Sequence, residues 1–412
     1  MKVVHVCCDT AYGCLSAVAE IAAAEAGLGL DVDVVLLQER GRRVSAFRLE
    51  RMRRSSVGTH VLPLAKLRRW MRPRLVARGL EISTVASRIA TLASGSDLVH
   101  GHGTLGAVYA YFAARRLGIP AVATRHGAEP GAFRPVVWRC LSTRLDRHTS
   151  MVSPRRTKAA HRTAAREVPG LGNGIDAAVW RAYAAESANA RESLGIPPDA
   201  FVIGLIGRLV REKRQASTLQ ALTPYADEVH VLVIGDGPQR TEIERLAMTP
   251  SWRGRLHLLG FVDDVPTIYR ALDLLWMPSL RESESMVVLE AMASGVPVLA
   301  SAVGATPRLL DDGAGILFAP DDLPGAVRIA RALARDPGRR EELVGRAQTR
   351  VLEHFSAAAA AHRYIHRLYR PALDAPPDGP RTRRSVRPHV GTSRSRPRGT
   401  RRPGKADSAD RR

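Results

Sequence analysis

Short hydrophobic segments recur along the chain, and between them lie longer stretches with apolar residues at helical spacing. The first series occupies residues 1 to about 167. Its predicted strands are Val3–Cys8, Val32–Leu37, Asp97–His102 and Ala121–His126, and its predicted helices include Ser16–Ala26 and Leu105–Leu117. Buried strands that alternate with helices are typical of a parallel sheet with crossover helices.

A second series of the same kind follows a polar stretch that ends in G-L-G-N-G-I-D, Gly170 to Asp176. Gly and Asn favour left-handed turn conformations, so this stretch indicates a boundary between domains. The second series has predicted strands at Phe201–Ile206, Val229–Ile234, Leu256–Leu259, Leu272–Met277, Val296–Ala300 and Gly315–Phe318. We therefore expect an α/β protein with Rossmann-like domains at 1–170 and 171–354, followed by a helix at 355–370.

The formal net charge of +22 is concentrated in two segments. Residues 40–80 are a predicted insert crowded with arginines. Its apolar residues at helical spacing are Leu64, Leu67, Trp70 and Met71. The insert is either an amphipathic helix on its own domain with a solvated basic face, or a surface that binds anionic lipid or an anionic acceptor. Residues 371–412 contain Pro, Gly, Ser and Arg with almost no large apolar residues, so we predict a disordered tail.

Composition also bears on location and on partners. The chain has no long uncharged apolar run, no signal-like segment before the first strand and no paired cysteine spacing, so we expect a cytoplasmic protein. Peripheral contact with the inner face of an anionic membrane, through the basic insert and tail, is one open alternative. No specific nucleic acid is expected, because no recognised motif is present and few aromatics interleave the tail. No cluster has metal-ligand spacing, so we expect neither a metal ion nor a cofactor.

The stretch from Pro278 to Val298 carries the first functional signal. An apolar strand stops at Pro278, a loop follows, and a predicted helix ends at Gly295. Glu282 and Glu290 bracket the loop and the first turns of that helix. Anionic ligands bind where strand ends lead into helix N-termini, because free N–H groups and the helix dipole favour negative charge there. A phosphate site flanked by acceptors for sugar hydroxyls suits a nucleotide-sugar.

Two further strand ends carry residues suited to a diphosphate. The segment G-R-L-V-R-E-K, Gly207 to Lys213, places Arg208 and Lys213 after the first strand of the second domain. Arg binds phosphate oxygens bidentately, and Lys acts as a point charge. Gly235 opens G-D-G-P after the next strand, where glycine permits close approach of the backbone to a ligand. In isolation, the first segment also fits ordinary surface charge at a strand end. The second also fits a tight turn between a strand and a helix.

Together these motifs resemble those of the retaining glycosyltransferases that have two facing Rossmann-like domains, the GT-B architecture of family 4 type. The motifs, in chain order, are T-R-H-G (from Thr124), N-G-I-D (from Asn173), G-R-L-V-R-E-K (from Gly207), G-D-G-P (from Gly235), L-G-F-V-D-D (from Leu259), D-L-L-W-M-P-S (from Asp273) and E-x7-E (Glu282 to Glu290). The resemblance covers Met1 to about Tyr369. It is specific because the motifs occur in this order and at these intervals.

The resemblance implies roles for individual residues. The residues implied to be catalytic are His126, Arg208, Lys213 and Glu282. Those implied to bind the donor are Gly13, Gly207, Gly235, Phe261, Val262, Ser283, Glu284, Ser285, Met286 and Glu290. Arg208 and Lys213 would bind the diphosphate, and Glu290 would bind the ribose hydroxyls. Glu282 would bind hydroxyls of the transferred sugar, and His126 would cross the cleft toward that sugar. The C-terminal helix, about Ser356 to Tyr369, would return to the first domain.

The chain departs from the family pattern where E-G-F-G or E-S-F-G is usual, because it has E-S-E-S from Glu282 to Ser285. An extra carboxylate beside a diphosphate repels it unless the carboxylate is turned away or paired, for which Arg281 is a candidate. Glu284 therefore indicates either an altered donor, with a hydroxyl or amino group that it recognises, or a weakened donor site. The first loop also departs, with A-Y-G-C from Ala11 to Cys14 in place of a Gly-Gly pair.

The leading hypothesis is a retaining, metal-independent glycosyltransferase. It would move a sugar from a nucleotide-diphosphate sugar, with uracil the commonest base, to a hydroxyl of a glycan, a glycolipid or a small metabolite. One alternative is a basic protein that binds nucleic acid or a membrane surface on the same scaffold. The other is a phosphorolytic or nonfunctional relative of the same fold.

Overall fold

The computed structural model describes residues 1–8, 13–39, 41, 43–64, 75–127, 134–151, 167–186 and 190–375. These residues contain two six-stranded parallel sheets, one from each series of predicted strands. Apolar side chains pack on both faces of each sheet, as crossover helices require. The predicted α/β architecture is therefore present in the described part of the chain.

The first sheet has the strand order β3-β2-β1-β4-β5-β6. Its strands are β1 (Lys2–Cys7), β2 (Asp31–Glu39), β3 (Gly58–Leu64), β4 (Leu98–His102), β5 (Ala121–Arg125) and β6 (Arg147–Ser150). Its helices are α1 (Gly13–Gly27), α2 (Ala46–Arg54), α3 (Leu75–Leu92), α4 (Gly103–Leu117) and α5 (Arg134–Ser142). The order reverses between β1 and β4, so the loops that follow these two strands flank a natural ligand crevice.

The second sheet has the strand order β12-β11-β10-β7-β8-β9. Its strands are β7 (Val202–Ile206), β8 (His230–Ile234), β9 (Leu256–Gly260), β10 (Leu274–Met277), β11 (Val298–Ser301) and β12 (Ile316–Phe318). Its helices are α6 (Ala177–Glu186), α7 (Ala190–Ser193), α8 (Gln215–Leu222), α9 (Arg240–Ala247), α10 (Val265–Ala271), α11 (Met286–Ser294), α12 (Thr306–Leu309), α13 (Leu323–Arg335) and α14 (Pro337–His354). Short 3₁₀ turns occupy Arg211–Lys213 and Thr223–Glu228.

The segment predicted as a basic insert at 40–80 forms part of the first sheet. Strand β3 pairs with β2 in parallel from Gly58 to Leu64 and is the edge strand. A proline is tolerated there because an edge strand has one row of N–H groups outside the ladder, and Pro63 lies within β3. Helix α2 buries Arg48 and Arg51, so part of its basic face is not solvated. Residues 65–74, which include Leu67, Trp70 and Met71, lie outside the described residues.

The C-terminal segment returns to the first sheet. It consists of α15 (Ala357–Tyr364), a π-helical turn at Ile365–Tyr369 and α16 (Arg370–Leu373). Its apolar residues, including Tyr364 and Leu368, pack against Val3, Ile21 and Leu98. The helical part extends beyond the predicted limit at 370, because Ala372 is buried in the same cluster. The remainder of the predicted tail, residues 376–412, lies outside the described residues.

Candidate active site

The loops that follow β7, β8 and β10 converge at the point where the strand order of the second sheet reverses. Strand β7 lies between β10 and β8, and each of these parallel strands ends at the same edge of the sheet. Parallel α/β sheets bind ligands at such a switch point. These loops contain Gly207 to Lys213, Gly235 to Pro238, and Pro278 to Ser285.

Gly235 is required by the close approach of two of these loops. A Cβ atom placed on Gly235 would lie 1.9 Å from the carbonyl oxygen of Gly207, and the φ angle of Gly235 is +135°. The Gly235 N–H donates to the Gly260 carbonyl at 2.7 Å, and the Gly207 N–H donates to the Ile234 carbonyl at 2.9 Å. Backbone hydrogen bonds therefore hold the ends of β7, β8 and β9 together.

The two cations predicted to bind a diphosphate differ in their contacts. Arg208 is exposed, and its guanidinium has no hydrogen-bond or ion-pair partner among the described residues. Lys213 Nζ forms an ion pair with Glu282 Oε1. Ser279 Oγ donates to the same Glu282 oxygen at 2.7 Å. Arg208 is thus available to an anion from solution, whereas Lys213 has a carboxylate partner from the loop after β10.

Helix α11 begins directly after this loop. Ser285 is its N-cap, and Ser285 Oγ accepts a hydrogen bond from the Val288 N–H at 3.4 Å. The Ser283 carbonyl accepts from the Ala305 N–H at 2.9 Å, which fixes the preceding loop. The predicted C-cap is confirmed, because Gly295 has a φ angle of +80°. Ser285 therefore takes the place of the usual glycine without loss of helix α11.

Both carboxylate oxygens of Glu290 are bonded to protein groups. Glu290 is 2% exposed. Tyr269 OH donates to Oε2 at 2.9 Å, and Arg48 Nη2 donates to Oε1 at 3.1 Å. Burial, with the Glu290 charge as a further cause, raises the pKa of Tyr269 well above its usual value. Arg48 belongs to α2, a helix that packs on the first sheet. The first half of the chain therefore contacts Glu290, the carboxylate predicted to bind ribose.

Asp263 makes a second connection to α2, from the loop that follows β9. Asp263 Oδ2 accepts from the N–H groups of Ala46 at 2.6 Å and Phe47 at 3.2 Å. Ser45 Oγ donates to Asp263 Oδ1 at 2.5 Å. Asp263 directly follows Phe261 and Val262, two of the residues predicted to bind the donor. The sequence did not predict the contacts of α2 with Asp263 and Glu290, because the partners are more than two hundred residues apart. The arginine-rich sequence of α2 also has the composition of an exposed surface helix.

Glu284 is turned toward the chain segment that joins the two sheets. Glu284 is 4% exposed, and its carboxylate accepts from the Asn173 N–H at 2.5 Å and forms an ion pair with Arg308. Asn173 Nδ2 also donates to the Glu284 carbonyl at 3.1 Å. Burial raises the pKa of Glu284, and Arg308 and the Asn173 N–H oppose that effect. The predicted partner Arg281 makes none of these contacts, and recognition of the donor by the Glu284 carboxylate stays a prediction.

His126 follows β5 and lies where the two sheets approach each other. A Cβ atom on the adjacent Gly127 would lie 3.6 Å from Ser283 Oγ. His126 Nε2 lies 2.8 Å from His102 Nδ1, and burial, followed by the charge of His5, lowers the pKa of His126 to about 4. At the end of the predicted strand Asp97–His102, the H-G-H sequence would make His100 and His102 loop residues that face the cleft. That prediction is wrong, because both rings are buried within β4.

The structure groups histidines that the sequence spacing keeps apart. Ring nitrogens of His5, His100 and His102 lie within 4.8 Å of one another, which is close enough to hold a metal ion. The expectation of no metal cluster was based on local spacing, and β1 and β4 bring these residues together across the sheet. The ring nitrogens have hydrogen-bond partners in Glu25, Tyr369, Thr124 and His126, and in one another. These hydrogen bonds join the three histidines to their neighbours in one buried side-chain network.

The remaining predicted donor-binding residues occupy four places. Gly13 is the first residue of α1, where its backbone is open on the Cβ side. Phe261 and Val262 follow β9, and Val262 packs against the core. The Met286 side chain is buried in the same core, so only its backbone can reach a ligand. Ser283 faces the loop that contains Gly127.

Comparison with known proteins gives matches over both halves of the chain. Residues 200–336 match the family model described as glycosyl transferases group 1, and residues 16–169 match that of glycosyltransferase family 4. A 2-deoxystreptamine glucosyltransferase of Streptomyces kanamyceticus is 30% identical over 271 residues, which are 59% of this chain and 69% of that protein. A D-inositol 3-phosphate glycosyltransferase of Salinispora tropica is 29% identical over 318 residues, with 65% of each chain covered.

A solved structure supports the architecture. Anabaena HepE in complex with UDP-glucose has a TM-score of 0.70 and 19% sequence identity, over 89% of this chain and 99% of that chain. At this level of identity the likeness concerns the fold. The predicted GT-B fold, with two parallel sheets and flanking helices, is confirmed.

Proposed function

We propose that this chain, which belongs to the group 1 and family 4 glycosyltransferases, transfers a sugar from a nucleotide-diphosphate sugar to an acceptor hydroxyl with retention at the anomeric carbon. The observation that carries the proposal is in the loop after β7, at the switch point of the second sheet. Its Arg208 is exposed and has no hydrogen-bond or ion-pair partner in the described part of the chain, and its Lys213 pairs with Glu282. A diphosphate there would meet two cations and the N-terminus of α11.

The chemistry follows from what these groups can stabilise. Negative charge develops on the diphosphate as the glycosidic bond breaks, and Arg208 and Lys213 would stabilise that charge. Lys213 would then exchange part of its contact with Glu282 for a phosphate oxygen. Glu282 would accept hydrogen bonds from the sugar, and the acceptor hydroxyl would attack from the face that the diphosphate leaves. No protein nucleophile is assigned to this front-face reaction.

Glu290 and His126 complete the proposed donor site. Ribose hydroxyls would donate to Glu290 in place of Arg48 or beside it, because Glu290 Oε1 now accepts from Arg48. His126 would contact the transferred sugar from the first sheet. Support for this arrangement comes from the approach of Gly127 to Ser283, which brings the loops of the two sheets together.

We also propose a class of donor and a class of acceptor. A uridine diphosphate sugar is supported by the bound UDP-glucose of the structural neighbour HepE. The names of two relatives contain 2-deoxystreptamine and D-inositol 3-phosphate, which favours a small-molecule acceptor over a glycan or a glycolipid. None of the described helices combines the length and the apolar content needed to cross a membrane. Membrane contact through the remaining basic residues stays a prediction, and Arg48 and Arg51 are buried.

The test combines a donor screen with one matched pair of variants. A panel of nucleotide-sugars is screened by thermal shift, and the stabilising donor is assayed for transfer, with the anomeric configuration of the product read by NMR. Arg208→Ala is expected to lower kcat by about 100-fold or more, because a lost transition-state donor costs roughly 3 kcal/mol. Arg211→Ala removes another exposed arginine of the same segment and should leave kcat unchanged. Equal activity of the two variants would reject Arg208 as a diphosphate ligand.

A further inference from the structure

Four side chains of the first half of the molecule form one hydrogen-bonded series that ends at His126. Glu25 Oε2 lies 2.8 Å from His5 Nε2, and His5 Nδ1 lies 2.8 Å from His102 Nε2. His102 Nδ1 lies 2.8 Å from His126 Nε2. We call this series the histidine relay (Glu25, His5, His102 and His126). Its first three members are buried, and only His126 belongs to the loop that approaches Ser283.

With Glu25 as a carboxylate and His5 as a neutral imidazole, the hydrogen bonds of the relay all run in one direction. The carboxylate accepts from His5 Nε2–H, and His5 Nδ1, the acceptor of a neutral ring, accepts from His102 Nε2–H. By the same rule, His102 Nδ1 accepts from His126 Nε2–H. The proton of His126 is thereby located on Nε2, and its Nδ1 carries a lone pair.

The neutrality of the last two rings has a physical cause. Burial lowers the pKa of His102 well below its usual value, and burial lowers the pKa of His126 to about 4. Both rings are therefore uncharged at neutral pH. His126 Nδ1 is itself buried and has no hydrogen-bond partner among the described residues. The relay ends in an acceptor that a ligand can satisfy.

We propose that Glu25, acting through His5 and His102, is a positioning residue that fixes the tautomer of His126 and makes its Nδ1 a hydrogen-bond acceptor. The consequence for catalysis rests on the proposed function. The group that meets His126 must then be a hydrogen-bond donor, such as a hydroxyl of the transferred sugar. A donor sugar that lacks this hydroxyl leaves the buried Nδ1 without a partner, which weakens binding by about tenfold.

A second branch from Glu25 reaches β5, the strand that precedes His126. Tyr369 OH donates to Glu25 Oε1 at 2.7 Å, and its oxygen lies 2.8 Å from His100 Nδ1. His100 Nε2 lies 2.8 Å from Thr124 Oγ1, two residues before His126. One buried carboxylate therefore sets both the proton on His126 and, through the C-terminal segment, the strand end from which His126 extends. Networks of this kind stabilise a single arrangement when every member is satisfied.

The tautomer can be measured without any donor. The full-length protein is labelled with ¹⁵N-histidine, and long-range ¹H–¹⁵N spectra at neutral pH distinguish protonated from unprotonated ring nitrogens. His126 is assigned by the loss of its signals in His126→Gln. We expect a protonated Nε2 and an unprotonated Nδ1. A protonated Nδ1 in the wild-type protein would overturn the proposal, because it requires the relay to run in the opposite direction.

A matched pair of variants on α1 tests the role of Glu25. Glu25→Gln introduces an amide that can donate to His5, so we expect the preference for Nε2–H at His126 to be lost or reversed. Glu20→Gln is the control, since Glu20 is buried on the same helix but accepts from Trp180 and Asp176 outside the relay. Unchanged His126 signals in Glu25→Gln would overturn the proposal. Should Glu25→Gln fail to fold, the wild-type spectrum decides alone.

Metal binding and transfer kinetics give two further readouts of the relay. Stoichiometric Zn²⁺ binding that shifts the signals of His5, His100 and His102 together would overturn the relay, because ligation uses the lone pairs that the relay needs. In the transfer assay, Glu25→Gln should raise KM for the donor by about tenfold with a smaller change in kcat, because His126 Nδ1 then no longer accepts a hydrogen bond from the sugar. Absence of transfer by the wild-type protein would reject the proposed function and leave the tautomer result intact.

Discussion

Replacement of Glu284 by alanine tests whether this carboxylate holds the segment between the sheets or faces the donor. If Glu284 holds this segment, two of its contacts determine how much the alanine variant loses in free energy of unfolding. Loss of the carboxylate leaves the Asn173 N–H, which donates to it, buried and unsatisfied at a cost of about 1–3 kcal/mol. Loss of the Arg308 ion pair adds at most about 1 kcal/mol, because Arg308 is 57% exposed and can be solvated.

The burial of the Glu284 charge opposes these two costs. Burial is the main cause that raises the pKa of Glu284, so alanine also removes an unfavourable desolvation. We therefore expect Glu284→Ala to lower the free energy of unfolding by about 2 kcal/mol, near the lower end of the summed range. KM for the nucleotide-sugar should change by less than about threefold, because the carboxylate is directed toward Asn173.

The assay is urea unfolding followed by tryptophan fluorescence, together with steady-state kinetics on the same preparations. Glu212→Ala is the control, because Glu212 is an exposed carboxylate in a neighbouring loop, and its removal should change stability by less than about 0.5 kcal/mol. An unchanged unfolding midpoint in Glu284→Ala, combined with a tenfold or larger rise in donor KM, would refute the reasoning. That result would return Glu284 to the donor site.

Two further predictions concern the glycine loops and acid stability. Gly235→Ala should weaken nucleotide-sugar binding at least about tenfold, as measured by calorimetry, because its Cβ would lie 1.9 Å from the Gly207 carbonyl oxygen. Gly345→Ala, on the exposed face of α14, is the control and should leave binding unchanged and the fold equally or more stable. Between pH 6.5 and about pH 4, folded His126 binds fewer protons than unfolded His126. The free energy of unfolding should therefore decrease as the pH is lowered through this range, by up to about 1.4 kcal/mol per pH unit. Urea midpoints at neutral and acid pH measure this slope, and greater stability in acid would contradict it.

The places of the loops in the second sheet were predictable because their sequence signals are local. A strand end, a glycine that permits close approach and a cation a few residues later lie within one short segment, as from Gly207 to Lys213. The helix cap at Gly295 was predictable for the same reason. Parallel pairing then brings such segments to one edge without further information.

The connections between the sheets were not predictable, because each depends on partners distant in sequence. Arg48 lies in an arginine-rich stretch that has the composition of a solvated surface, yet it is buried against Glu290. His100 and His102 alternate with a glycine at a strand end, a pattern shared by loop residues, and only the pairing of β1 with β4 places His5 beside them. Burial of a polar side chain is decided by the partner that satisfies it.

The nine-residue helix α2 has a further consequence for how the molecule opens. A helix of this length is marginal by itself, and its first N–H groups are satisfied by Asp263 of the opposite half. Separation of the two halves would remove a cap worth about 1 kcal/mol. If the two halves separate, α2 loses these bonds and frays, so we expect the amide protons of Ala46 and Phe47 to exchange faster in Asp263→Ala than in the wild-type protein.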